Sequence, residues 1–435
     1  MTGLTWPQIL RLGLVQMALG SIIVLTTTTL NRIMVVELAL PAMLPGLLVA
    51  LYQGSQIARP KFGHAADQGA HRTPWIIGGM AVLVTGGMVA TAATLLMATQ
   101  FWAGFALGVL AFATIGFGIG AAGTNLLALL SSRVAEERAA AAGSAVWIMM
   151  IFGLALTGGL SGTFLDPYSP ARLLTVSGAV ATSAMSLALI GIWGIECAPA
   201  RSEKPKRKND FRAALAEVWT DPTARAFAIF VFAAMVAYNT QDLILEPYAG
   251  HVFGMTPGES TQLGGVQHGG ALLGMILVLL AGTALKRWLT VPVQVWVVGG
   301  CAASGLALIA LGLGGQITTD WPIAFNVAAL GFSNGVFAVA AIGAMMTLAA
   351  TGSKAREGTR MGVFGAAQAL AFALGSFVGT VAVDMMRALT PDLSLAYGTV
   401  FIAEGGIFLL SAALAARIAF GRRAPLPSSI AVPGE

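Results

Sequence analysis

Charge, histidine and cysteine are all scarce in this chain. Only 10% of its 435 residues are Asp, Glu, Lys or Arg, against roughly 25% in a soluble globular domain. An ordinary soluble fold is therefore excluded. Two cysteines, Cys197 and Cys301, cannot make a disulfide framework or a cysteine metal cage. Four histidines, His64, His71, His251 and His268, are too scattered for a multi-histidine metal centre. There is no serine elbow, no HExxH and no cysteine pair, so no catalytic constellation is expected and the chain reads as a non-enzyme. The net charge of +5 would suggest nucleic acid only if the basic residues clustered on a soluble surface, and they do not. No small-residue cleavage site precedes the first apolar run, so no cleavable leader is expected.

Long apolar runs fill the space that charge leaves. Hydrophobic residues make up 57%, and the mean hydropathy is +0.81. A bilayer span needs about 20 mostly apolar residues. Runs of that kind fall at 9–30, 42–58, 74–98, 103–130, 143–165, 173–195, 225–249, 262–285, 291–313, 322–349, 362–389 and 395–419. The 54 glycines lie mostly inside these runs, where small residues let membrane helices approach closely. The expected fold class is an all-α membrane protein with 12 transmembrane helices in two pseudo-symmetric halves of six. The expected divisions are a first half at 1–195, a cytoplasmic linker at 196–224, a second half at 225–420 and a cytoplasmic tail at 421–435.

Orientation follows from the basic residues, which concentrate in cytoplasmic loops. With both termini in the cytoplasm, 21 of the 24 Lys and Arg residues fall on that side, and only Arg32, Arg172 and Arg387 fall outside it. The linker segment KPKRK, 204–208, reads either as a solvated loop or as a holder of anionic lipid head groups.

An internal repeat supports the two halves. MVVELA (34–39) matches LILEPYA (243–249), aligning Glu37 with Glu246 at an offset of 209. RVAEERAAAAGSAVW (133–147) matches KAREGTRMGVFGAAQ (354–368) at an offset near 219. Offsets of half the chain fit two parallel six-helix repeats.

Several positions attract attention. In GHAADQGAHR (63–72), Gly63, Asp67, His71 and Arg72 fit the short turn between helices 2 and 3 of major-facilitator proteins, with Ala70 and His71 departing from its pattern GxxxDxxGRR. The turn reads as a conformational latch or as a plain tight turn. GFGIGAAG (116–123) matches a nucleotide-binding pattern, but no strand precedes it, so it reads as close helix packing. Charges at the outer side of the spans are costly in hydrocarbon. They comprise Arg32, Glu37, Asp242, Glu246 and Asp384, with Glu404 deeper. Asp242 and Glu246 are four apart and share a helix face. With Glu37 and the counter-charge Arg32 they form a candidate outer-mouth cluster, suited to proton coupling or to interfacial anchoring. His268 lies in QLGGVQHGGALLG (262–274), bordered by Gly264, Gly265, Gly269 and Gly270. A flat ligand could lie on such a face with its metal on the imidazole. The alternative is a histidine bonded across a helix contact.

Seven stretches, in order along nearly the whole chain, resemble one family. They are LRLGLVQMALG (10–20), TLNRIMVVELALPAMLPGLLVAL (29–51), RPKFGHAADQGAHRTPWIIGG (59–79), AAGSAVWIMMIFG (141–153), AYNTQDLILEPYAG (237–250), VQHGGALLGM (266–275) and REGTRMGVFGAAQA (356–369). The chain resembles the bacteriochlorophyll-delivery branch of the major facilitator superfamily, the PucC/LhaA type of purple phototrophic bacteria. The resemblance implies a protein of the inner (intracytoplasmic) membrane that binds bacteriochlorophyll and delivers it to light-harvesting antenna polypeptides. It also implies association with those polypeptides and with reaction-centre assembly intermediates, in a setting of membrane lipids and with no nucleic acid. It carries no assigned site residues. On that expectation His268 is the candidate axial ligand to the pigment magnesium, with Gly264, Gly265, Gly269 and Gly270 around it and Asn239 as a further candidate. The rival readings are a proton-coupled secondary transporter of a small apolar solute and a membrane scaffold without ligand. The middle of the spans is mostly Ala, Gly, Leu, Val and Met, which favours an apolar cargo over a sugar or peptide.

The topology is testable. Pro205→Cys and Met255→Cys, each as the only accessible thiol, should react with an impermeant maleimide from opposite faces of oriented vesicles. Labelling of both from one face would refute the twelve-span reading.

Overall fold

Hydrocarbon offers no water to backbone N–H and C=O groups, so a spanning chain must bond them within its own helices. The computed structural model describes residues 4–59, 61, 62, 66, 71–134, 136–196, 219, 220, 222–282, 291–318, 320–350 and 357–418. Among them there are twelve long helices and no strand. We number these α1 (6–37), α2 (Met43–Ser55), α3 (Thr73–Met97), α4 (Phe101–Arg133), α5 (Glu136–Leu165), α6 (Pro170–Ile192), α7 (Pro222–Phe253), α8 (Pro257–Gly282), α9 (Val293–Ile317), α10 (Ile323–Ala350), α11 (Glu357–Leu389) and α12 (Leu393–Arg417). Each matches an expected span. Eleven are long and apolar enough to cross a membrane. The exception is α2, whose 13 helical residues continue only through a tight turn at Gln56–Ala58. Arg11, Arg59, Lys61, Arg72, Arg133, Arg225 and Arg417 gather where α1 begins, so we call this the basic end and its opposite the far end.

The largest departure from expectation is α1, which runs to Glu37 rather than stopping near residue 30. It does so through two widened π-helical stretches, Leu25–Thr29 and Ile33–Glu37. The hydroxyls of Thr26, Thr27 and Thr28 donate back to the carbonyls of Ile22, Ile23 and Val24. Such bonds compete for the carbonyls of the ladder and favour local distortion, and π segments often mark functional sites.

The two halves are built alike. In the first, α1 packs on α5 and α6, α3 on α4 and α6, and α2 on α4. In the second, α7 packs on α11 and α12, α9 on α10 and α12, and α8 on α10. Each half has its own apolar core. Glycines set the close contacts: Gly153 meets the Met17 carbonyl, Gly118 meets the Leu83 backbone, and Gly305 and Gly405 face each other. The register of the repeat needs correction at α1 and α7. Both helices have their first residues 216 apart, Trp6 and Pro222, and their last likewise, Glu37 and Phe253. The offset of 209 is therefore not the one the fold adopts. Glu37 ends its helix, whereas Glu246 lies about two turns before the end of its own.

The halves meet through α2 on α11, α5 on α8, and α1 on α7 and α8. Val35 of α1 is buried in the second core, and Leu243 of α7 in the first. Two carboxylates clamp the far end. Asp166, just past α5, accepts from Gly258 N at 3.1 Å and from the Thr256 hydroxyl at 2.5 Å, at the start of α8. Asp384, on α11, accepts from Ala42 N at 2.9 Å and Met43 N at 2.7 Å, at the start of α2. An anion at a helix N-terminus meets unpaired N–H groups and the positive end of the dipole. Each half thus caps a helix of the other.

The connections after α1 and α7 both turn through left-handed backbone, at Ala39 (φ 51°) and Gly254 (φ 66°). A left-handed alanine costs roughly 1–2 kcal/mol, and glycine loses roughly 0.5–1 kcal/mol of that gain through chain entropy. Ala39→Gly should therefore stabilise the protein, by up to about 1 kcal/mol, read as a later thermal midpoint in detergent. Ala39→Val should lower the midpoint.

Candidate functional site

The charged residues converge on the seam of α1, α7 and α8. Arg32 is 2% exposed. It pairs with Glu37 and reaches across the seam to the Met255 carbonyl at 2.7 Å. Glu246 of α7 is 1% exposed, and neither carboxyl oxygen has a hydrogen-bond partner. Thr28 and Arg32 flank it from α1, but the Thr28 hydroxyl donates to the Val24 carbonyl instead. Gly264 of α8 makes room for this carboxyl: a Cβ there would lie 2.8 Å from Oε1. One turn nearer the basic end, half-buried Asp242 accepts from Gln267 Nε2 at 3.0 Å. Beyond it, on α12, Glu404 is 3% exposed, without a partner, and within electrostatic reach of Asp242. The structure therefore places Arg32 between Glu37 and Glu246, and Asp242 in a second group with Gln267 and Glu404.

Neighbouring helices approach much of the expected pigment face. His268 is buried, at 9% exposure, but its four glycines do four different things. Gly264 faces Glu246, Gly265 lies against the backbone of Gly159 on α5, Gly270 meets the Ala328 carbonyl on α10, and only Gly269 borders open space. Gly269 lies between the exposed Val266 and Leu273, on the outward stripe of α8 and away from the imidazole. Helix packing has used the small residues, so no cleared surface for a macrocycle surrounds His268. Asn239 is also committed elsewhere. It donates to the Phe372 carbonyl at 2.8 Å and to the Ser376 hydroxyl, tying α7 to α11. Among the described residues no group of three or more His, Cys, Asp or Glu is placed to hold a metal ion.

At the basic end, Gly63 and Asp67 of the expected latch lie outside the described residues, as do the KPKRK segment and the tail. His71 and Arg72 are described, and both meet a residue that sequence reasoning missed. Glu196, just after α6, accepts from Arg72 N at 2.9 Å, Thr73 N at 2.7 Å and the Thr73 hydroxyl at 2.7 Å, with His71 Nδ1 4.0 Å away. It caps the start of α3. Burial favours its neutral form, but these donors and His71 outweigh burial and hold its carboxyl below the usual range.

An apolar groove of about 380 Å³ lies beside this turn, on the outer surface of α3 and α4. Phe62, Trp75 and Phe117 form its walls, and Gly78 and Gly79 part of its floor. Phe117 and Val82 are more than 40% exposed, so the groove opens outward from the bundle. No sequence pattern announced it, because its residues come from three separate segments.

The family model described as PUCC protein matches residues 29–422. The chain belongs to the PUCC protein family. Among this family's relatives, a protein of Rhodobacter capsulatus named bacteriochlorophyll synthase 44.5 kDa chain is 49% identical over 97% of each chain. Protein PucC of Cereibacter sphaeroides is 31% identical, over 93% of this chain and 90% of its own. Among solved structures, a D-xylose-proton symporter superposes with a TM-score of 0.70 at 14% identity, covering 94% of this chain and 97% of that one. A bacterial homologue of the lysosomal transporter Spinster, in an inward-facing state, gives 0.66 at 16% identity, over 94% and 95%. These likenesses establish the major-facilitator fold for this PUCC-family chain and say nothing of its cargo.

The Glu196 cap has a defined pH dependence. Its carboxyl is held below the ordinary value of about 4.3, so its stabilisation is present above that pH and is lost as pH falls through the lower folded value. Glu196→Ala should cost about 1–2 kcal/mol at neutral pH. The gap in thermal midpoint from the parent should close on the acid side.

Proposed function

We propose that this protein is a non-enzymatic carrier and assembly factor that binds bacteriochlorophyll and delivers it to light-harvesting antenna polypeptides. The observation that carries the reading is family membership, with a relative 49% identical named as a chain of bacteriochlorophyll synthase. That name points equally to an enzyme subunit, but the fold is that of transporters. The proposed setting is a bacterial inner membrane with both termini cytoplasmic, as the basic end suggests, and in contact with antenna polypeptides and reaction-centre assembly intermediates.

The pigment is better accommodated by the aromatic groove than by the His268 face. A flat, apolar ring or its hydrocarbon tail suits walls of Phe62, Trp75 and Phe117 over glycine, whereas helix backbones crowd two of the four glycines around His268. Bound bacteriochlorophyll would supply its own metal and ring. The groove residues would hold it by apolar contact alone, since none of them offers a magnesium ligand.

The test is the absorption spectrum of gently purified protein. The parent should carry pigment with a red band. Gly78→Leu, which fills the groove floor, should cut pigment per protein several-fold, and His268→Leu should leave it unchanged. Pigment lost in His268→Leu and kept in Gly78→Leu would return the site to α8. A parent purified without pigment from a pigmented membrane would overturn the carrier reading.

A further inference from the structure

Glu246 is an unusual group in the position it occupies. It is a buried carboxyl with two unpartnered oxygens, on the face of α7 that meets α1 of the other half. Its surroundings offer little to a negative charge. From α1 the nearest cation is Arg32, but its terminal nitrogens are already given to Glu37 and the Met255 carbonyl. The Thr28 hydroxyl lies beside the carboxyl but donates to the Val24 carbonyl. From α8 the facing residue is Gly264, which has no side chain, with His268 a turn further on. On α7 itself Asp242 lies one turn back, and His251 lies beyond, bonded to the Tyr397 hydroxyl. Tyr168, between α5 and α6, is in reach of Glu37 and Arg32, and Arg387 of α11 is in reach of His251. A carboxylate in hydrocarbon needs a partner or loses its charge, and here neither oxygen of Glu246 is hydrogen-bonded, nor is the Arg32 Nε.

The same residue sits where the halves must part if the far end opens. Around it, Asn31 donates to the Leu243 carbonyl, the Thr29 and Thr261 hydroxyls meet, and Arg32 reaches Met255. All of these contacts join one half to the other. Separation of α1 from α7 and α8 would break them and admit water to Glu246.

We propose that Glu246 is a proton-binding site that couples proton uptake to closure of the far end. In the closed state the carboxyl is sealed and holds its proton as the neutral acid. When the far end opens, the O–H bond breaks heterolytically, the proton passes to water, and the hydrated carboxylate remains. Closure reverses the step by taking one proton from far-end water. Because the closed state binds the proton more tightly, acid favours closure and alkali favours opening. Gly264 leaves room for this arrangement, since a Cβ there would lie 2.8 Å from Oε1 and crowd the carboxyl. The inference is independent of the pigment reading and holds for any cargo.

The experiment measures opening directly. In the full chain with Cys197→Ala and Cys301→Ala, Val35→Cys places a thiol at a site buried by the other half. Proteoliposomes are treated with an impermeant maleimide over roughly pH 5.5 to 8.5. Each rate is divided by that of Asp320→Cys, an exposed far-end position, which removes the intrinsic pH effect on the thiol. The relative rate should rise with pH, with a slope of at most about tenfold per pH unit, the limit for one proton. Glu246→Gln should stay low and flat, while Glu246→Asp and Glu404→Gln should keep the rise. Gly264→Ala, which crowds the carboxyl, should shift the midpoint without abolishing it, and it tests the site even if Glu246→Gln fails to fold. A parent rate that is flat or falls with pH overturns the proposal. So does a Glu246→Gln curve that follows the parent, a Gly264→Ala midpoint identical to the parent's, or loss of the rise in Glu404→Gln alone.

Discussion

Polar groups cannot be left to water in the middle of a bilayer, and this requirement shapes nearly every contact described above. It makes the backbone helical throughout the described spans. It also removes the usual drive for helices to associate, because lipid tails are as apolar as the helix surfaces. Close contact must then come from residues that present backbone rather than side chain. Gly20, Gly79, Gly118, Gly153, Gly331 and Gly335 each meet the backbone of a neighbouring helix. The glycines around His268 belong to this system. Two of them, Gly265 and Gly270, have the same packing duty as the rest.

The same requirement explains how the halves are joined. Helix N-termini within or near the membrane carry unpaired N–H groups. Asp166 and Asp384 satisfy two such termini, and each comes from the opposite half. The pair is related by the internal repeat, at an offset of 218 residues, so one invention serves twice. Glu196 makes the corresponding bond at the basic end, but within one half. A helix cap is a bond that a modest helix movement can break.

The seam between α1 and α7 contrasts with these satisfied groups. Widened turns in α1 carry Thr28 and Arg32 to the seam, and Arg32 is held by an ion pair and a carbonyl. Glu246 beside it has no hydrogen bond to either carboxyl oxygen. A membrane protein retains such a residue at a cost in stability, so an intramembrane ionisable group is a functional-site hypothesis by default. The apolar groove at the basic end is the complementary case, since it exposes aromatic side chains where lipid would otherwise cover plain aliphatic surface.

Periodicity and composition determined the helices, their number and their division into halves, because a span of about 20 apolar residues is a local property of the chain. The offset near 219 between α5 and α11 was also legible, and it already contained the relation of Asp166 to Asp384. Three things were decided only by tertiary structure. The register of α1 against α7 differed from the local match around Glu37 and Glu246, because the threonine run widens and extends α1 beyond its apolar stretch. The four glycines near His268 look alike in sequence, yet neighbouring helices fill the space beside three of them. Asp242 and Glu246 share a helix face, but Gln267 claims one and Gly264 isolates the other. In each case the deciding atoms belong to a different helix, and no local pattern within one span records what stands across from it.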